Sequence, residues 1–120
     1  MGLPRELRLR HRKDFDAVFR QGRAWNDQLL VLRALPNNLD HNRFGFVTSK
    51  RLGGAVVRNR VRRRLREITR ETPTNPGYDI VLSAKTKVTS AEFADVKTSV
   101  HRLLDRAGIR APEQPGTVGS

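Results

Sequence analysis

The sequence predicts an α+β fold: a small α/β sandwich around a central sheet, in the order helix, strands, helix, strand, helix. Three observations lead there. Apolar residues recur at helical spacing in residues 12–21, in 55–70 and from about 89 to 106. Between them, RFGFVTS at 43–49 alternates in character, and YDIVLSAK at 78–85 is a short apolar run rich in strand formers. The clusters PNNLDHN and TPTNPG mark turns between these segments. A chain of 120 residues holds one core, so residues 1–109 read as a single domain. Residues 110–120, ending in PEQPGTVGS, read as a flexible C-terminal tail.

Each element has a local reason. Phe15, Val18 and Phe19 fall at i, i+3 and i+4, which makes one apolar helix face, and Gly22 stops that helix. The stretch 23–35 reads as strand, ending in LLVLRAL. Only a seven-residue connection separates it from the 43–49 strand, so the two are expected to pair antiparallel. After Gly53-Gly54 the period changes to that of a helix over 55–70. Gly53-Gly54 has two readings: a permissive strand-to-helix turn, or close approach of backbone N–H groups to a phosphate. Thr89 and Glu92 have the spacing of a capping box for the last helix. Its apolar set is Phe93, Val96, Val100, Leu103 and Leu104, and Gly108 ends it.

Charge sets the function class. Lys+Arg is 24 against 12 Asp+Glu, giving a net charge of +12, and 19 of the 24 bases are arginine. The planar guanidinium fork suits phosphate better than an ammonium does, so a polyanion, and nucleic acid first, is the expected partner. Two segments carry the excess. Residues 50–70 hold nine Lys/Arg and one acid, Glu67; residues 5–23 hold seven against Glu6, Asp14 and Asp16. The absence of cysteine excludes disulfides, thiol catalysis and cysteine zinc sites. His11, His41 and His101 match no metal spacing. No run approaches the ~18 apolar residues of a membrane span, and the N-terminus has no apolar signal core, so a cytoplasmic location is expected.

On a helical wheel at about 100° per residue, Val57, Val61, Leu65 and Ile68 occupy a wedge of about 80°. Arg58, Arg62 and Arg66 form an i, i+4, i+8 row beside it. Asn59, Arg63 and Arg70 lie on the far side, and Arg60 and Arg64 border the other flank. An ordinary solvated helix mixes acids and bases at i, i+4. This one sets like charges against each other, with Glu67 expected to pair with Arg63 or Arg70. A polyanion that neutralises the helix would offset that repulsion, with counterion release and steep salt dependence. Within Arg58-Asn59-Arg60, the Asn adds a donor and an acceptor able to read a base edge or a 2′-hydroxyl.

The ordered segment Ser49-Lys50-Arg51, Gly53, Ala55-Val56, Arg58-Asn59-Arg60, Arg62-Arg63, Leu65, Arg66-Glu67 and Arg70 resembles the protein subunit family of bacterial ribonuclease P. The resemblance extends to Asp14-Phe15, Val18-Phe19, Gly22, Phe44-Gly45-Phe46 and Tyr78-Asp79-Ile80-Val81. It implies an α/β sandwich with a left-handed parallel crossover through the arginine helix, against the usual hand. It implies a catalytic RNA as partner, which with Mg²⁺ at its own active site removes the 5′ leader of precursor tRNA. It implies RNA contact by Lys50, Arg51, Arg58, Asn59, Arg60, Arg62, Arg63, Arg66 and Arg70. It also implies leader contact by Phe15, Phe19 and, on the strand, Arg33. Gly54 stands where the family often has Asn, Arg64 where an aliphatic residue is common, and Arg33 where many members have Tyr. Arginine can still stack on a base. Read without the resemblance, Phe15 and Phe19 are core residues of an amphipathic helix; Trp25 is open between cleft rim and packing, while Phe44, Phe46 and Phe93 read as structural.

The carboxylates are scattered singly, and Asp14 and Asp16 face different directions on their helix. They form no constellation for metal-assisted or general-base hydrolysis. The chain itself is therefore expected to carry no catalytic and no metal-binding residue, to bind no cofactor, and to need no obligate protein partner or membrane. The alternative is a ribosomal or other structural RNA-binding protein. A DNA-groove helix is disfavoured because such helices present a few base-reading side chains, not a basic circumference.

Overall fold

The computed structural model describes residues 4–112. It contains three α-helices, α1 (Arg12–Gln21), α2 (Ala55–Glu71) and α3 (Phe93–Ala107), and four strands, β1 (Arg23–Asn26), β2 (Leu30–Pro36), β3 (Arg43–Val47) and β4 (Tyr78–Ala84). The sheet order is β1-β2-β4-β3. β1–β2 and β2–β4 are antiparallel, while β3–β4 is parallel. Two expectations are corrected here. The stretch 23–35 is not one strand; Asp27 breaks it, because its Oδ1 accepts the N–H groups of Leu29 and Leu30 and closes a tight turn. Nor does the 43–49 strand pair with it. β4 inserts between β2 and β3, and α2 makes the crossover that a parallel pair requires.

Alternation along the strands sorts side chains onto two faces. Leu30, Leu32, Ala34, Phe44, Ile80 and Leu82 pack with Val61, Leu65 and Ile68 of α2 and with Val96, Val100, Leu103 and Leu104 of α3. On the opposite face Val81 packs with Leu9 and Val18, and Phe15, Leu35 and Val47 lean against them. The sheet is thus covered by α2 and α3 on one side and by α1 on the other. Trp25 joins the α2/α3 side, which settles it as packing.

Smaller details also differ from the pattern reading. Thr89 does not cap α3; residues Thr86–Ser90 form a 3-10 turn in which Thr89 Oγ1 donates to the Thr86 carbonyl, and Glu92 is the N-cap residue. Phe93 is exposed rather than core, and Ser99 is buried in its place because Asp27 accepts its hydroxyl at 2.6 Å. Gly108 ends α3 in the left-handed conformation, φ 74°. Arg110 bridges to Thr74, and the Ala111 N–H donates to the Pro73 carbonyl, so the first residues of the expected tail lie against the domain. Residues 113–120 of that tail lie outside the described residues.

An ion-pair cluster ties α1 to the sheet. Arg43 Nε and Nη2 donate to the two oxygens of buried Asp79 at 2.8 and 2.7 Å. Asn37 Nδ2 donates to Asp79 Oδ1 as well, and Arg43 Nη1 lies 3.7 Å from Asp14 of α1. The bidentate fork fixes β3 against β4 at the start of their parallel register.

Candidate nucleic-acid interface

Helix α2 docks by Val61, Leu65, Ile68 and Thr69. Val57, placed in the wedge by the wheel, is only half-buried at the open end, and Thr69 takes the fourth buried place by donating its hydroxyl to the Leu65 carbonyl. The opposite arc is basic. Asn59, Arg60, Arg63 and Arg70 are exposed, while Arg58, Arg62 and Arg66 are half-buried along the flank. Arg62 is held in place: it donates to Thr48 Oγ1 at 2.6 Å and to Asn59 Oδ1. The side-chain oxygen of Asn59 is therefore engaged in orienting an arginine. Arg58 Nε is buried with no hydrogen-bond partner among the described residues. The expected Glu67 pair does not form among them; Arg70 lies 3.9 Å from Glu71 instead, because that acid extends the helix beyond the predicted end.

Lys50 and Arg51 do not end β3. They sit, exposed, in a 3-10 turn (Lys50–Leu52) just before α2, where Leu52 anchors the turn by burial. Gly53 has φ 137° and so needs glycine, which supports the turn reading at this position. Gly54 does not: its φ is −73°, and a Cβ there would meet no atom within 4 Å.

On the other face of the sheet, Phe15 and Phe19 of α1 overhang β2 and β3. The Phe15 ring lies on Gly45; a Cβ at Gly45 would come 2.5 Å from the ring. Phe19 is 42% exposed, and the Arg33 guanidinium stacks 4.8 Å from its ring centroid. Phe15 is thus half core and half cleft, whereas Phe19 and Arg33 form an open cation–π pair. Ser83, at the register positions of Val31 and Val47, contributes a buried hydroxyl without a partner among the described residues to this floor.

The two regions meet at the β3 edge. Arg62 and Arg66 from α2, Phe15 from α1, and Gly45 and Phe46 of β3 line one groove. Arg8 and Arg10 complete it, and neither is among the contact residues that the family resemblance implies. The signal was present as Arg8-Leu9-Arg10, an alternation in which Leu9 is buried and the arginines are exposed. Gly45 was also missed as a site residue; its role as the seat of the Phe15 ring requires the tertiary pairing.

No group of three or more His, Cys, Asp or Glu side chains able to hold a metal exists among the described residues. None of the helices among the described residues is long and apolar enough to cross a membrane.

Comparison with known proteins agrees with this geometry. Residues 3–108 match the family model Ribonuclease P. The ribonuclease P protein component of Roseiflexus castenholzii is 43% identical over 89% of this chain and 90% of its own length. That of Dehalococcoides mccartyi is 41% identical over 85% of each. Among solved structures, the RNase P protein of Thermotoga maritima superposes with a TM-score of 0.75 at 32% identity, covering 82% of this chain and 96% of its own. The Staphylococcus aureus RNase P protein gives 0.79 at 25% identity, covering 88% and 98%. The structural RNA-binding alternative is not favoured by any of these, and the match over nearly the whole folded chain shows that it belongs to the ribonuclease P protein component family.

Proposed function

We propose that this chain is the RNA-binding subunit of a ribonucleoprotein endoribonuclease that removes the 5′ leader of precursor tRNA. The exposed arc of α2, with Lys50 and Arg51 at its start, contacts the catalytic RNA through Arg58, Asn59, Arg60, Arg62, Arg63, Arg66 and Arg70. Phe15, Phe19 and Arg33 receive the single-stranded leader. Stacking on a ring or a guanidinium tolerates any base, which suits a leader of variable sequence. Hydrolysis belongs to the RNA and its Mg²⁺; the protein positions substrate and lowers charge repulsion around that centre. The setting is the cytoplasm, with no obligate protein partner.

The observation that carries this reading is the division of labour across the sheet. A helix basic around most of its exposed arc lies on one side, and an aromatic–guanidinium cleft lies on the other. Basic charge alone serves any RNA; the aromatic–guanidinium cleft adds a surface on which single-stranded bases can stack. The test is competitive binding of the chain to the catalytic RNA against a duplex DNA and a ribosomal RNA fragment of equal length, across a salt series. The proposal requires a preference for the catalytic RNA that survives as salt rises. Equal affinities that collapse together would mean charge-only binding and would reject it.

A further inference from the structure

The groove at the β3 edge has a volume of about 270 Å³, just below the ~300–1,000 Å³ of sites for drug-sized ligands. Four arginines line it, Arg8 and Arg10 on one bank and Arg62 and Arg66 on the other, and none of its lining residues is acidic. Arg8, Arg10 and Arg66 make no ion pair among the described residues. The banks are built, not incidental. The Leu9 N–H donates to the Phe44 carbonyl at 2.8 Å, and Arg8 bridges to Phe44 in parallel, which adds the N-terminal segment to the sheet edge. Buried Leu9 then forces Arg8 and Arg10 outward. The opposite bank is oriented by the Arg62 bond to Thr48. Between them the lining is apolar, with the Phe15 ring seated on Gly45 and Phe46 beside it.

Phe15 belongs to both the cleft and this groove. Because Phe15 lines both, a strand that stacks a base there lies beside the two arginine banks. We infer that Arg8 and Arg10 form a phosphate-binding extension of the leader cleft around the β3 edge, opposite Arg62 and Arg66, which stay with the catalytic RNA. The extension takes the backbone of the same single-stranded RNA, and it rests on the cleft reading of Phe15 and Phe19.

The test uses the reconstituted holoenzyme and two precursor tRNAs, one with a single-nucleotide leader and one with a leader long enough to pass the cleft. With the native chain, the long leader binds more tightly. In Arg8→Ala/Arg10→Ala that advantage falls about tenfold, and the salt dependence of long-leader binding flattens by a log–log slope of about 1.4, or ~0.7 for each of two phosphates on a single strand. Affinity for the short leader and for the catalytic RNA stays unchanged. Equal losses with both leaders, weaker binding of the catalytic RNA, or no change at all would each overturn the extension. A native holoenzyme indifferent to leader length would overturn the cleft reading as well, and it would do so before any variant is made.

Discussion

Gly45 and Phe15 act as a pair. The ring rests where any side chain at 45 would collide with it, so Gly45→Ala must displace the ring. Overpacking of this kind costs about 1–3 kcal/mol, to be read from urea denaturation, and it is expected to weaken leader binding while catalytic-RNA affinity holds. Phe19 is different. It is open and stacked only by Arg33, so Phe19→Ala is expected to leave the melting temperature nearly unchanged and still weaken leader binding. On α2, Arg60 and Arg63 are exposed on the outward arc. Arg60→Ala/Arg63→Ala should weaken RNA binding and reduce its log–log salt slope by about 1 per lost phosphate contact; an unchanged slope would remove this arc from the interface. The Gly54 departure also acquires a meaning. Gly54 is the N-cap of α2, makes no side-chain cap bond and has room for a side chain. Gly54→Asn is therefore expected to stabilise the fold by a few tenths of a kcal/mol, measured by thermal denaturation.

Among the elements, the helices were the most legible. The apolar wedge placed α2 within a residue of its observed span because four apolar side chains at helical spacing leave no other period. Strand partners were not legible. Period-two alternation tells which face a residue takes, and it says nothing about which strand lies alongside; the β2–β4–β3 order depends on a crossover of thirty residues. The β1–β2 break was hidden for a related reason: Asp27 in an otherwise strand-like run reveals itself only when Ser99 and Arg102 of α3 arrive to hold it. That clasp carries a pH signature. Burial alone would raise the Asp27 pKa, but the bonds from Ser99, Leu29 and Leu30, with the Arg102 charge, outweigh it and hold the carboxyl below its ordinary 3.8. A folded-state pKa below the unfolded one gives stability that is full above that ordinary value and is lost as pH falls toward the folded value. Urea midpoints taken from about pH 5 down to about pH 3 should fall less steeply for Asp27→Asn than for the native chain. Equal slopes would mean that the clasp contributes nothing through its charge.

Across the whole molecule, the two basic segments that carry the +12 excess meet at one sheet edge, where Arg8 and Arg10 face Arg62 and Arg66. The α2 row and the Arg8–Arg10 segment are separate in sequence, so only the folded chain shows that they converge. The same convergence strains the isolated protein, because like charges held together raise its energy until an anion neutralises them. Resemblance on the arginine helix was enough to indicate the family; the groove joining the helix to the cleft was not readable from either segment alone. In the proposed function this subunit assists an RNA that does the chemistry. Its most direct measurement is cleavage of precursor tRNA at low Mg²⁺ by the protein, by the catalytic RNA, and by both together. The protein alone is expected to give no cleavage, the RNA little, and the pair rapid leader removal; a protein that fails to stimulate the RNA, or that cleaves by itself, would overturn this division of labour.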